Sequence, residues 1–519
     1  MMFLLLNYIN ISISQVTQEW NARYTFSSIS MDGGDKIFLD NMNNIYVSGP
    51  STGNGSGYDF VTIKYSQNGI EEWVNRYNGI GNDDDIPNDM IVDYEGNICV
   101  TGSSYFDSNQ NDFLTIKYSP NGSVLWIARY SCYGNQNYPT SISTDINNNI
   151  YVTGKNFMTF LTIKYDSDGK LIWVSEYPAP FFRDVPHDIA VDDSNNVYLA
   201  GESNSDCITI KYDSRGNQEW VSIYKGSANG HDFNNSIGID SLGNVYVSGS
   251  SIENLNSFGG YLTIKYNSKG IQQWIRFYEG TANFFTLPRA MKVDKSGNVY
   301  VTGYSTESGQ GYNITTIKYN TNGDTLWRVS YHNGPNDIAS DIDIDSFGNT
   351  YITGRSDGNG TGDDFVTIKY NELGIQQWAI NYDFSIQFGD FGRSIFVDRN
   401  GSVFVTGNSD RDIMTIKYSQ LTGIQSVSEI PDVFNLEQNY PNPFNPRTVI
   451  KYKLSMFHFV SLKVYDILGN EVASLVNENK PAGSYEVVFD GSDFPSGIYF
   501  YSLSINGNVI DTKRMVLLK

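Results

Sequence analysis

The chain has 519 residues, with 35 Lys and Arg against 57 Asp and Glu, a net charge of −22 at neutral pH. A surface this acidic repels phosphate backbones, which excludes nucleic acid as a partner. No run is long and apolar enough to read as a transmembrane span, and an aromatic content of 14% gives ample material for a packed interior.

The chain opens MMFLLLNYINISIS. Phe3 to Ile13 is apolar enough for a signal-peptide core, and Ser12-Ile13-Ser14 offers a small-x-small cleavage site before Gln15. Residues 1–14 therefore read as a signal peptide, although the usual basic n-region is missing and the true start could lie upstream. Trp20 follows in QEWNARY, which has the pattern of a fourth strand with no third strand before it.

From there a unit of about 50 residues recurs eight times. An Asp precedes a Gly by nine residues in every copy, from Asp40 and Gly49 to Asp398 and Gly407. A TIKY motif follows, its Thr running from Thr62 to Thr415. Eleven residues past that Thr stands a Trp, from Trp73 to Trp378, in all copies but the last. Each unit holds four short apolar runs, such as IGID, NVYVSG, YLTIKY and IQQWIRFY, bounded by Gly, Asn, Asp and Ser. These read as strands a to d. A four-stranded unit at this period is a propeller blade, which buries its faces only by stacking on neighbours.

The turns account for the rigid spacing. DSLG between a and b has the Asp and Gly places of a type I turn. The c–d connectors, such as SQNG and NSKG, all end in the residue that tolerates positive φ. A four-residue loop pairs Tyr266 with Ile271, which sets Thr263 opposite Trp274, Lys265 opposite Gln272 and Lys64 opposite Glu71. The last copy, Ser394 to Tyr418, has strands a to c and then no Trp. The strand around Trp20 supplies what it lacks. The expectation is an all-β, eight-bladed propeller over residues 15–424, with a seven-bladed ring and one irregular copy as the alternative.

The interval from that Gly to the Thr of TIKY varies between copies, at 13, 13, 8, 8, 14, 13, 13 and 8 residues. Strand b–c loops are thus long in copies 1, 2, 5, 6 and 7. In a propeller the b–c and d–a loops share one face, so variation confined there marks a binding surface. Tyr105, Phe106, Phe258, Asp363 and Asp364 in these loops are the candidate residues for a glycan, peptide or protein ligand.

Other chemistry is sparse. Cys99, Cys132 and Cys207 lack metal-ligand spacing, and Cys99 and Cys207 read as small hydrophobes. His187, His231 and His332 fall in d–a loops of different copies, too isolated for a triad or zinc site. The turn Asp offers one carboxylate per loop, so it reads as a turn former; Asp83 to Asp85 and Asp363 with Asp364 leave a weak calcium site as the one cofactor to consider. The stretch Ser167 to Trp173 is similar to an Asp-box, but its Gly stands four residues before the Trp instead of three. Eight TIKY lysines around a ring cannot share one site and read as structural.

Taken together, D-x-x-G-N-x-Y-V-T-G, TIKY and Trp resemble the bacterial β-propeller repeat family called SBBP. From about Ile430 the pattern changes to Pro-rich sequence and short strands, a small antiparallel sandwich. Asn439-Tyr440-Pro441-Asn442-Pro443-Phe444-Asn445-Pro446, VYDILGNEV, PAGSYEV, Gly497 and Tyr499 in SGIYFY, and the tail KRMVLLK closely resemble the type A C-terminal sorting domain of type IX secretion. Residues 425–438 then form a linker and 439–519 the sorting domain. The resemblance implies handling by the type IX machinery and secretion or surface display from a Gram-negative cell.

The resulting expectation is a monomeric, secreted binding propeller without catalytic residues. The alternative is a glycan-degrading hydrolase or lyase with acidic residues at the ring's centre, favoured by two carboxylates about 5 to 10 Å apart there. A centre lined only by backbone and hydroxyls favours binding, and the lack of any concave pocket favours a passive spacer.

Overall fold

The computed structural model describes residues 15–27, 30–107, 110–131, 137–179, 181, 184–227, 230–253, 259–281, 285–307, 311–357, 362–384, 389–421, 435–454, 458–480, 483–505 and 508–519. They fall into two compact units, one ending at Leu421 and one beginning at Thr422. Every regular element among the described residues is a β-strand.

The first unit consists of eight four-stranded antiparallel sheets. In the first sheet, strands a to d are Lys36–Leu39, Ile45–Thr52, Tyr58–Tyr65 and Glu71–Tyr77. Six more sheets repeat that order, one per repeat. The last takes Asp390–Val397, Val403–Ser409 and Asp412–Leu421 as strands a to c, and Gln15–Tyr24 as strand d. Within it, Trp20 pairs with Lys417 and Ala22 with Thr415. Strands a touch one another in chain order, and that of the eighth sheet returns to the first. The interior is correspondingly serial. Phe404 and Ile413 of the eighth sheet pack with Ile37, Val47 and Ile63 of the first, as Tyr46 and Phe60 pack with Met90 and Val100 of the second.

Each residue of the rulers has a physical task. The turn Asp caps its own loop: Asp40 accepts the amides of Met42 (2.8 Å) and Asn44 (2.9 Å), and the Tyr46 hydroxyl (3.0 Å). In the second sheet Cys99 replaces that Tyr, and the Lys117 ammonium meets Asp93 at 2.9 Å instead. The TIKY Lys is thus part of the frame. Each Trp of the repeats except Trp378 latches its sheet to the next, because its indole donates to a carbonyl of the following c–d turn. Trp126 reaches Ser167 at 3.0 Å, Trp274 reaches Thr321 at 3.0 Å, and Trp20 reaches Gln67 at 3.0 Å. The turn Gly lies flat on that indole; a Cβ on Gly122 would stand 2.9 Å from Trp73.

The expected c–d register is off by one at the turn and by two beyond a second irregularity between Lys265 and Tyr266. Tyr266 pairs with Gln272, Lys265 faces Trp274 and Thr263 faces Arg276. Gly270 sits at φ 76°, so the turn is a type I turn followed by a left-handed bulge residue, which adds one position to the second strand. Likewise Lys64 lies opposite Trp73, not Glu71, and its ammonium meets Glu72 at 2.8 Å.

The second unit has one sheet of Asn435–Leu436, Arg447–Leu454 and Gly483–Asp490. The other sheet is Glu471–Lys480, His458–Tyr465, Gly497–Ile505 and Asn508–Leu517, and a single apolar core joins the two.

Candidate binding face

Strand a carries a β-bulge in seven sheets, always opposite the ruler Gly of strand b. There is no room there for a side chain. A Cβ on Gly102 would lie 2.1 Å from the Ile86 carbonyl oxygen, and one on Gly407 1.9 Å from that of Phe391. The bulge residues are Asn88, Thr140, His187 and Asn235, then Arg289, Ser340 and Arg393. In the first sheet Asp35 holds the same place just before strand a. Seven bulges and the matching place of Asp35 thus present eight equivalent positions occupied by six kinds of side chain.

The next position toward the interior carries charge. Strand a is the edge of its sheet, so alternate amides lack a ladder partner. An Asp of the preceding sheet supplies it. Asp89 accepts from Ile142 (3.0 Å), Asp188 from Ile237 (2.9 Å) and Asp341 from Ile395 (3.0 Å). Ser141 bonds both Asp89 (2.9 Å) and Asp188 (3.1 Å), so these two carboxylates are only the span of that shared hydroxyl apart. Lys36 pairs with Asp89 at 3.1 Å and Lys292 with Asp343 at 3.6 Å. Asp89, with Asp341 and Asp188 farther off, holds the Lys36 ammonium above its ordinary range. Burial pushes the Asp188 carboxyl up, opposed by the Ile237 amide. The centre is therefore not lined by backbone and hydroxyls alone, but its carboxylates are bonded into the frame.

The described loop candidates fall in different sheets, Tyr105 in the second and Asp363 and Asp364 in the seventh. Tyr105 is half-buried at the end of Ile98–Asp107, where it pairs with Asn111. Phe106 shares that strand, but its side chain lies outside the described residues, as do Phe258 and Cys132. Asp363 forms an ion pair with Arg355 at 2.9 Å, and Asp364 is buried in Asp363–Tyr370. Of the acidic run, Asp84 accepts the Tyr58 amide at 2.9 Å and Asp85 is buried against the Gly79 amide.

The histidines differ from expectation. His187 lies in strand a, Val185–Val191, not in a d–a loop. Nor is it isolated. His187 and His231 flank the Phe233 ring, at 6.0 and 5.5 Å between centroids, and His231 Nε2 meets the buried Glu202 at 2.6 Å. The fourth sheet supplies His187 and Glu202, and the connection into the fifth supplies His231 and Phe233, so the group forms only where these two sheets adjoin.

A further series went unread. Eight residues before the turn Asp stand Asp32, Asp85, Asp184, Asp232, Asp337 and Asp390, all buried. Each accepts amides from the d–a connection, as Asp32 does from Phe26 (3.0 Å) and Asp337 from Asn333 (2.7 Å). The signal was present as a fourth ruler in six of eight copies; Asn137 and Thr286 interrupt it.

In the second unit the Pro-rich segment is a clasp. Asn439 is buried, donating to Thr448 (2.9 Å) and to the Pro441 carbonyl (3.1 Å). Asn442 accepts the Val516 amide (2.9 Å), and the Phe444 amide donates to the Val516 carbonyl (2.9 Å) with its ring buried. The Gly491 amide donates to the Pro446 carbonyl at 2.7 Å. Tyr440 exposes its ring while its backbone pairs with Val449, and Gly497 pairs with Leu517 at the start of its strand. Tyr499 is buried, its hydroxyl donating to Pro495 at 2.8 Å.

Residues 438–517 match the family model of the secretion system C-terminal sorting domain, and 125–155, 173–206 and 222–256 match that of the beta-propeller repeat, SBBP. No curated protein matches the sequence. Among solved structures, similarity is found to a protein from Lactobacillus plantarum, with TM-score 0.43 and 11% identity over 64% of this chain and 94% of that one. The WD40 beta propeller domain of Doa1 gives TM-score 0.41 and 11% identity over 78% and 97%. A protein of unknown function from Bacteroides caccae gives 0.34 and 10% over 55% and 93%.

Proposed function

We propose that this chain, a type IX secretion substrate assembled from SBBP repeats, is an eight-bladed propeller that acts outside the cell as a binding module. Its ligand is a glycan, peptide or protein held on the face of the b–c and d–a loops. One observation carries this reading: seven bulges hold residues in equivalent places, Asn, Thr, His, Arg or Ser according to the copy, and Asp35 stands in the matching place of the first sheet. A fixed frame with variable side chains is what a recognition surface requires. Residues 15–424 form the propeller, 425–438 the linker and 439–519 the sorting domain, and the mature protein is a monomer.

A second reading rests on Asp89 and Asp188, whose shared hydroxyl places them close enough for an acid–nucleophile pair. Against it, each carboxylate already accepts backbone amides. The mature secreted protein, applied to glycan and peptide arrays, should be retained without releasing product. Release abolished by Asp188→Asn would replace binding with hydrolysis; no retention anywhere would leave a spacer.

A further inference from the structure

The bulge residues of the sixth and eighth sheets are both arginines in a strongly acidic protein. Arg289 and Arg393 are exposed, and neither forms an ion pair among the described residues. Aromatic rings accompany them. The Arg289 guanidinium lies over Tyr304 at 5.6 Å from the ring centroid, and Tyr304 meets Tyr312 edge to face at 4.9 Å. In the intervening seventh sheet, Arg355 lies over Phe391 at 5.4 Å, and Phe391 stands two residues before Arg393. Arg355 is neutralised by Asp363, which leaves Arg289 and Arg393 without an ion pair among the described residues, Arg393 with the Asp35 carboxylate in its neighbourhood.

We propose that this arc of the sixth to eighth sheets is a subsite for a carboxylated sugar. The inference rests on the binding-module reading and names its ligand class. A guanidinium presents parallel donors that match a carboxylate, and it is weakly hydrated, so it is suited to that pairing at a protein surface. Tyr312 and Phe391, both half-exposed, offer apolar ring surface to the C–H side of a pyranose, while the buried Tyr304 holds the Arg289 guanidinium in place and Phe391 that of Arg355. An unpaired guanidinium alone would suit any anion; the adjoining rings favour an acidic saccharide over an extended acidic peptide. The net charge of −22 works against long-range attraction of a polyanion. Recognition is therefore local and depends on these two arginines.

The test is calorimetric titration of the mature secreted protein with tetragalacturonate, its methyl ester and a tetraglutamate peptide. The free acid should bind at least about tenfold more tightly than the ester or the peptide, a factor equivalent to about 1.4 kcal/mol. Arg289→Gln and Arg393→Gln should each weaken the acid about tenfold and leave the ester unchanged. Arg215→Gln, in an exposed c–d turn of the fourth sheet, should change nothing. Equal affinity for acid and ester on the unaltered protein overturns the proposal whether or not the variants fold, and so does tighter binding of the peptide. Retention of a neutral glycan or a peptide on the arrays with no binding of tetragalacturonate sinks the subsite alone. Failure on every array sinks the binding module as well.

Discussion

The indole of Trp20 donates to the carbonyl oxygen of Gln67 at 3.0 Å, the same bond that joins every other pair of neighbouring sheets save one. The strand from the start of the described chain thus does more than fill a gap in the eighth sheet. It carries that sheet's latch to the first. Trp20→Phe should cost about 1 kcal/mol by leaving the carbonyl unpaired. Trp20→Ala should cost about 2 to 3 kcal/mol with the packing against Tyr65 and Phe404 also lost. Urea denaturation checks both, and an unchanged midpoint for the Ala variant would contradict the latch.

The exception is Trp378. Its indole N–H is buried and has no acceptor among the described residues. The eighth sheet has no c–d hairpin to offer a carbonyl, and Gln420 near that place bonds Tyr351 (3.1 Å) and Gly401 (2.7 Å) instead. Trp378→Phe should therefore be neutral or stabilising, because it removes an unsatisfied donor. Trp327→Phe should lose about 1 kcal/mol with its bond to Glu372. Equal losses in thermal unfolding would refute the distinction.

Gly122 combines φ 86° with contact against Trp73, whereas Gly55 has φ 85° and open space around it. Gly55→Ala should cost about 1 to 2 kcal/mol from backbone strain alone. Gly122→Ala should exceed that, since the indole must also shift. Matched urea curves for the two variants measure the difference.

Burial lowers the His187 imidazole's pKa below its ordinary range, with Glu202 opposing and His231 assisting. The unfolded chain then takes up a proton that the folded chain refuses. Stability is fully present above about pH 6.5 and declines as pH falls from there toward the folded value. His187→Gln should shrink the fall in melting temperature between pH 7.5 and 5.5. The same fall in both proteins would show that His187 is not the group responsible.

Most of the fold was legible because the repeat constrains it eight times over. Asp40, Gly49, Thr62 and Trp73 recur at fixed intervals only if strand lengths and turns are fixed, and Trp20 declared itself as a strand lacking a partner. The c–d register was not legible, because a Gly at the end of a four-residue connector fits both a plain loop and a turn with an added bulge residue. The proposed face was less legible still. Loop length pointed to Tyr105 and Asp363, yet the variable positions sit on strand a, where Arg289 and Arg393 look like ordinary alternation until the bulge turns them out. His187 and His231 meet at Phe233 of the neighbouring sheet, a relation no spacing within one repeat can encode.

Gln15 pairs with Leu421 across nearly the whole first unit. A ribosome or a translocation pore delivers the first of these segments hundreds of residues before the second. Until Asp412–Leu421 emerges, the opening strand has no edge to join, and bringing ends this distant together costs about 5 kcal/mol of chain entropy. Closure is thus the last folding event and a slow one. Truncation before that point leaves the early sheets intact but the circle open, with one raw edge exposed to proteases and to other copies.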